Sequence, residues 1–190
     1  MILDLKNGII CFITKLDGVI LKKLGILLCL LSFGFIFYNS SRTGSLSNNR
    51  SYDIVQSLRE IKYEVEGKTN TIKVNKGVLP ISARDEKLNL IIRKNAHAFE
   101  YCLLGVVVSN ILFLLGVKGK NALTTIMFIC LLFAVTDEFH QRFVPGRASL
   151  VSDVLIDFAG SLIGMGLFYL VYYKIYVKRS NHNKFYKKLL

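Results

Sequence analysis

Long runs of apolar residues, separated by shorter polar stretches, dominate the pattern along this chain. The runs contain LGILLCLLSFGFIFY, AHAFEYCLLGVVVSNILFLLG, ALTTIMFICLLFAV and LIGMGLFYLVYY. Apolar residues fill every side of these segments, which is typical of membrane-spanning helices and not of amphipathic surface helices. A helix needs about 20 such residues to cross a hydrocarbon core of roughly 30 Å. The pattern therefore predicts an all-α integral membrane protein, a bundle of four transmembrane helices.

The same pattern divides the 190 residues into five parts. No small-residue cleavage site follows the first run, so we expect it to be a retained anchor. Within the helical part we expect the second, third and fourth spans at 96–116, 122–143 and 154–173. The five parts are an N-terminal interfacial segment at 1–18, transmembrane helix 1 at 19–38, an extracytoplasmic segment at 39–95, helical hairpins with transmembrane helices 2 to 4 at 96–173, and a basic tail at 174–190.

The polar segment 39–95 contains its own structural signals. Ile54, Leu58, Ile61 and Val65 recur at helical spacing, which predicts an amphipathic helix that either lies on the membrane surface or packs against the bundle. GKTNTIKVNKG is rich in turn residues and is compatible with one short strand. Ser82 is placed to cap a helix that continues into the second span.

Charge predicts the orientation of the chain. The net charge is +12, and the tail from Lys174 to Leu190 holds six Lys and Arg and no acid. Lys118 and Lys120 lie in the short connector between the second and third spans, on the side that the tail would share. Short basic flanks stay in the cytoplasm, so we expect both termini to be cytoplasmic and the tail to contact anionic membrane lipids. No nucleic-acid-binding module is recognisable, and we expect no nucleic-acid partner.

The four cysteines, Cys11, Cys29, Cys102 and Cys130, show no disulfide or metal-site spacing. Ionisable residues inside the spans are more informative, because burying a charge in a bilayer is costly and such residues usually face a protein interior. They fall at one end of the second, third and fourth spans, where antiparallel helices bring them to the same depth. The polar set that we expect to bind a ligand is Arg93, Lys94, His97, Glu100, Tyr101, Asp137, Glu138, Gln141, Arg147, Asp153 and Asp157.

Several chemistries are open to this set. His97, Glu100, Asp137, Glu138 and Arg147 are candidates for catalysis, with His97 and Glu100 as base and partner and Arg147 holding an anion. The structural alternative is that the ion pairs only fix helix packing, and that Tyr101 is a buried ring with a hydrogen-bonded hydroxyl. No HExxH-like motif occurs and the cations nearby would repel a divalent ion, so we expect no metal and no cofactor.

Two blocks of these residues resemble the signature of the VanZ-like membrane proteins. RKNAHAFEYCLLG matches R-K-x-x-H-x-x-x-Y-x-x-L-G, and TDEFHQRFVPGRASLVSDVLIDFAGSLIG matches D-E-x-x-Q-x-F-x-P-G-R followed by D-x-x-x-N-x-x-G. Asp157 stands where that pattern has asparagine, which adds a carboxylate. The positions that carry the resemblance are Arg93, Lys94, His97, Tyr101, Leu104, Gly105, Asp137, Glu138, Gln141, Phe143, Pro145, Gly146, Arg147, Asp153 and Gly160.

The resemblance implies a multi-pass protein of the bacterial cytoplasmic membrane, associated with tolerance to glycopeptides such as teicoplanin, with its polar site at the outer face. It does not imply a reaction. One hypothesis is an envelope factor that binds an anionic lipid-linked precursor or a lipoglycopeptide. The alternative is a membrane-embedded enzyme that acts on a lipid or polyisoprenoid-linked substrate. A transporter is disfavoured because no broken-helix repeat is present, and the oligomeric state is open.

Overall fold

A computed structural model describes residues 2–65 and 83–177, and every element in these ranges is helical. The prediction of an all-α protein is therefore confirmed, with no strand among the described residues. The short strand suggested within 67–77, and the capping residue Ser82, lie outside the described ranges. The elements are α1 (Ile2–Ser40), α2 (Gly44–Val65), α3 (Ala83–Leu114), α4 (Gly119–Gln141), α5 (Val151–Val171) and a π-helical turn (Tyr172–Val177).

Four of the helices are long and apolar enough to cross a membrane, as predicted. The spanning segments are Gly18–Ser40, Glu86–Leu114, Gly119–Gln141 and Val151–Lys174. At 1.5 Å per residue the 32 residues of α3 are about 48 Å long, which exceeds a hydrocarbon core of roughly 30 Å. The N-terminal turns of α3 therefore extend past the core, and the predicted second span, 96–116, covers only the later part of this helix.

Helix α3 is central to the bundle and contacts α1, α2, α4 and α5. Tyr101, Leu104 and Val108 on its inner face are completely or almost completely buried against Ile126 and Cys130 of α4. Helix α1 lies at the edge, where most of its leucines stay exposed. In a membrane these exposed apolar side chains face lipid, while Ile36 on the inner side of α1 joins the core formed with α3, α4 and α5.

Three glycines let α3 and α5 approach until their backbones touch. A Cβ added at Gly105 would overlap the carbonyl oxygen of Ser161, and one at Gly160 or Gly164 would overlap a carbonyl oxygen of α3. Small residues at such crossings replace the hydrophobic driving force that helices lack inside lipid. Because the two backbones touch, side chains on neighbouring turns of α3 and α5, such as His97 and Asp157, come within reach of each other.

The α4–α5 turn is fastened to the start of α2. The N–H of Gly44 donates to the carbonyl of Pro145 at 3.1 Å, and a Cβ on Gly44 would overlap the carbonyl oxygen of Gly146. Gly146 has a φ of 73°, a conformation that suits glycine. The turn and the first residues of α2 therefore form one rigid layer above the spans.

The predicted amphipathic helix is present as α2, but its apolar stripe does not pack on the bundle. Ile54, Leu58, Ile61 and Val65 are 48 to 83% exposed. Ser51 and Val55 are buried instead, on the side where α2 contacts α3. Of the two alternatives, packing of this stripe against the described bundle is not observed.

The opposite end of the bundle is aromatic and basic. The ring of Phe113 lies 4.7 to 5.3 Å from the rings of Phe168, Tyr169 and Tyr172. The ammonium group of Lys118 lies 5.9 Å from the centre of the Tyr172 ring. Aromatic residues collect where a membrane meets water, so this cluster marks one interface, and the polar end of the spans approaches the other.

Candidate functional site

A buried carboxylate, Asp137 of α4, lies at the polar end. Its side chain is 0% exposed, and its Oδ2 atom accepts hydrogen bonds from the hydroxyl of Ser40 at 2.7 Å and the amide of Gln141 at 3.1 Å. Its other oxygen, Oδ1, has no hydrogen-bond partner. One half of this carboxylate is therefore held firmly, and the other half is left unsatisfied in a place where that is costly.

Arg147, in the α4–α5 turn, ties three helices together. Its guanidinium donates to the backbone carbonyls of Asn39 and Arg42 at 3.2 and 3.0 Å, and to Gln141 Oε1 at 2.9 Å. It also lies 3.3 Å from Nε2 of His97. Burial, followed by the positive charge of Arg93, lowers the pKa of Arg147 from its ordinary value. All four contacts are to uncharged acceptors, so the guanidinium forms no ion pair with another described residue.

Glu100 and His97 face α1 from successive turns of α3. The amide of Asn39 donates to Glu100 Oε1 at 2.8 Å, and Glu100 Oε2 has no partner. His97 contacts Arg147 through Nε2, and its Nδ1 is buried without a partner. Both residues thus keep one unused polar atom inside the site.

Tyr101 lies one turn deeper than His97 and is 0% exposed. Its ring packs 5.8 Å from Phe133, and its hydroxyl is directed toward the carboxylates of Asp137 and Asp157 without a partner in hydrogen-bonding geometry. Asp157 of α5 is only 2% exposed, and its carboxylate accepts no hydrogen bond from a described residue. The Tyr101 hydroxyl lies close enough to the Asp137 carboxylate to interact with it, so the expectation of a hydrogen-bonded tyrosine hydroxyl stays a prediction.

Two of the predicted acids have structural partners. Glu138 is 3% exposed and accepts a hydrogen bond from the N–H of Leu150 at 2.7 Å, which fixes the residue that directly precedes α5. Asp153 forms an ion pair with Lys94 at 2.6 Å, joining α5 to α3 near the surface. These contacts give both acids a structural role in positioning α5.

Two cavities open on either side of the contact between His97 and Arg147. The first, about 40 Å³, lies between α3, α5 and the α4–α5 turn. The second, about 180 Å³, lies between the end of α1, α2 and α3, and we call it the arginine groove. The first cavity collects most of the predicted site: Arg93, Lys94, His97, Glu138, Gln141, Arg147, Asp153 and Asp157.

The arginine groove contains residues that the sequence reasoning missed. Glu100 and His97 were predicted, but Asn39, Arg42 and Arg50 were not. Ser40 and Asn48 were also missed. The side-chain oxygen of Asn48 accepts a hydrogen bond from the guanidinium of Arg93 at 2.8 Å, which connects α2 to α3. The sequence feature that could have indicated these residues is the polar run NSSRTGSLSNNRS directly after the first span. Its position predicts an extracytoplasmic segment but does not by itself indicate contact with the site.

Charge differs between the two cavities. Four arginines, Arg42, Arg50, Arg93 and Arg147, line the groove, and Glu100 is the only acid among its lining residues. Leu46, Ile54 and Ile92 supply apolar walls. Lining residues of the first cavity have nearly balanced charge. The groove is therefore suited to an anion that carries apolar groups, and the first cavity is not.

Four spans around a buried polar end define a multi-pass α-helical membrane protein with an interior polar site. The chain belongs to the VanZ/LLP1 family, whose model matches residues 25–172, from the first span to the end of the fourth. Membership makes it a cell-envelope membrane protein of a family linked to glycopeptide resistance. No curated protein and no solved structure matches the chain.

Proposed function

We propose that the arginine groove binds the anionic headgroup of a lipid or lipid-linked cell-wall precursor, and that this binding underlies a contribution to glycopeptide tolerance. The observation that carries the proposal is the convergence of four arginines from the α1–α2 connector, α2, α3 and the α4–α5 turn on one groove with a single acid. Arginine is the side chain best suited to phosphate and carboxylate, because its planar donors bind two oxygens at once.

The size of the groove favours a headgroup over an antibiotic. Pockets for drug-sized ligands measure about 300 to 1,000 Å³, whereas the groove measures about 180 Å³. A phosphate-sized group fits this space, and the apolar remainder of the ligand stays in the membrane beside Leu46 and Ile54. Of the two ligands that the sequence suggests, the lipid-linked anion therefore fits the groove better than a whole lipoglycopeptide does.

We further propose that the polar end faces the outer side of the membrane and that both termini are cytoplasmic. The support is the basic connector at the opposite end, with Lys118 and Lys120, together with the basic tail. In this orientation the groove meets ligands of the outer leaflet.

A binding experiment tests the groove directly. Purified protein in phosphatidylcholine nanodiscs is titrated with short-chain phosphatidic acid. Short-chain phosphatidylcholine, which carries no net charge, is the comparison ligand. Arg50 forms no hydrogen bond or ion pair with another described residue, so Arg50→Gln removes a charge without removing a structural contact. We expect it to weaken phosphatidic acid binding about tenfold, the worth of one charge-assisted hydrogen bond.

Arg142→Gln is the matched control. Arg142 is exposed and does not line the groove, so its replacement should leave the affinity unchanged. Equal affinity for the two lipids, or equal weakening by both variants, would contradict the proposal.

A second readout links the groove to tolerance in cells. Wild type, Arg50→Gln and Arg142→Gln are expressed in a susceptible host, and inhibitory concentrations are compared for lipid-tailed and untailed glycopeptides. A tail adds about 0.8 kcal/mol of membrane partitioning per buried methylene, so tailed drugs compete at the depth of the groove. We expect protection mainly against tailed drugs, lost in Arg50→Gln only. Equal protection against both drug types would be evidence against this link.

An enzyme acting on the same ligand is the second candidate. Glu100 lines the groove with one carboxylate oxygen unpartnered, and His97 lies on the preceding turn, which is the arrangement that acid–base catalysis requires. Loss of turnover in Glu100→Gln with unchanged phosphatidic acid binding would favour the enzyme. An absence of turnover in wild type on lipid phosphates and prenyl diphosphates would favour binding alone.

A further inference from the structure

Three side chains of types that can bind a metal ion, each from a different helix, meet beside the arginine groove. One ring nitrogen of His97 and one carboxylate oxygen each from Asp137 and Asp157 all lie within 4.8 Å of one another. They come from α3, α4 and α5, so no local sequence motif announces them. The glycine contacts between α3 and α5 and the packing of α4 against both create this arrangement.

The charge of the two carboxylates is not balanced by the protein. Asp137 is 0% and Asp157 2% exposed, and a buried carboxylate requires a cation or a proton. The arginine and lysine side chains of the site bond to other groups: Arg147 to uncharged acceptors, Arg93 to Asn48, and Lys94 to Asp153. Among the described residues, neither buried acid has an ion-pair partner.

Several buried polar atoms around His97, Asp137 and Asp157 lack a hydrogen-bond partner among the described residues. Asp137 Oδ1 and the hydroxyl of Tyr101 are buried near each other without a hydrogen bond of good geometry, and Nδ1 of His97 is buried without a partner. Buried polar atoms are almost always satisfied, so several orphans around one point indicate a missing ligand. Hydrogen bonds of the kind that orient metal ligands are also present, because Ser40 and Gln141 both donate to the other oxygen of Asp137.

An ion has room and access. His97 and Asp157 line the first cavity, which measures about 40 Å³, more than the roughly 10 to 15 Å³ that one water molecule requires. Ligand bonds to such ions measure about 2.0 to 2.2 Å, so the three donor atoms must draw slightly closer than they are in the empty structure.

We propose that His97, Asp137 and Asp157 bind one divalent transition-metal ion, with the first cavity supplying water as the remaining ligand. One nitrogen and two carboxylate oxygens suit Zn²⁺ or Mn²⁺, and two carboxylates neutralise a charge of two. The site shares His97 with the lining of the arginine groove, but its two carboxylates come from Asp137 and Asp157, which do not line the groove. It departs from the expectation of no metal, which rested on the absence of an HExxH-like motif and on repulsion by the cations nearby.

The test is metal content. Protein is purified through a tag that contains no histidine, reconstituted with Zn²⁺ or Mn²⁺, desalted, and analysed by inductively coupled plasma mass spectrometry. We expect about one ion per chain in wild type. Asp157→Asn keeps the shape of the side chain and removes the ligand charge, and we expect it to lose the ion. Asp153→Asn, one turn earlier on the same helix and lining the same cavity, should keep it.

Thermal stability supplies a second measurement. At an ion concentration of about 100 times Kd, wild type should unfold roughly 5 to 10 °C higher than without the ion. Asp157→Asn should show no such shift while eluting as a monodisperse peak. No bound ion in wild type, or equal metal content in wild type and Asp157→Asn, would overturn the proposal, as would equal loss in Asp153→Asn. Phosphatidic acid binding to Arg50→Gln is measured separately, so failure of either proposal is distinguishable.

Discussion

Ser40, the last residue of α1, holds the buried carboxylate of Asp137 across the bundle. Its hydroxyl is 0% exposed and donates at 2.7 Å. The residue carries no charge and lies at the boundary between an apolar run and a polar one, so the sequence gives no reason to select it. Its importance follows only from the position of the acid that it faces.

Ser40→Ala should lower the free energy of unfolding by about 1 to 3 kcal/mol, because it leaves a second oxygen of a buried carboxylate undersatisfied. Ser41→Ala is the control, since Ser41 is exposed and bonds only to its own helix at Phe37; its effect should stay within about 0.5 kcal/mol. Apparent melting midpoints of the two variants in detergent decide the matter. Similar midpoints for both would show that the contact to Asp137 contributes little.

At the scale of elements, the crossing of α3 and α5 sets the geometry of the site. Gly160 lies against the carbonyl of Ala98, one residue after His97. Because the backbones touch, the helix axes cannot separate without moving His97 away from Asp157. A glycine inside an apolar run was readable in the sequence, but its partner on another helix was not.

Gly160→Ala should destabilise the bundle, because the new methyl group would overlap backbone that cannot rotate away. We expect a cost of about 1 to 3 kcal/mol, which corresponds to a fall in melting temperature of roughly 3 to 10 °C. Gly166→Ala, on the same helix with nothing within 4 Å of an added Cβ, should leave the temperature unchanged. Equal midpoints for the two variants would contradict a packed crossing here.

Element type and number were predictable from the sequence, and the two cavities were not. Apolar runs are long and local, so they predict four spans whatever the helices later contact. The depth of His97, Asp137 and Asp157 also follows from their position in each run. Arg42 and Arg50 join the groove only because α2 folds back over α3, and this depends on contacts such as Asn48 with Arg93. Such contacts between distant residues leave no periodic pattern.

At the scale of the whole molecule, the orientation in the membrane decides which leaflet the groove meets. Exposed Asn49 of α2 and exposed Asn121 of α4 lie at opposite ends of the bundle. With the native cysteines replaced, Asn49→Cys should react with an impermeant thiol reagent in intact cells. Asn121→Cys should react only after permeabilisation. The reverse pattern would place the groove on the cytoplasmic side.

Arg147 reaches back to residues made much earlier in synthesis. Its bonds to the carbonyls of Arg42 and Asn39 join positions 105 and 108 residues apart. A ribosome releases these partners in order, so the end of α1 is already in the membrane when the arginine is still being translated. This one late side chain closes the contacts with His97, Gln141 and the end of α1, and a chain interrupted after the third span would contain Glu100 and Asp137 without the arginine that joins α1, α3 and α4.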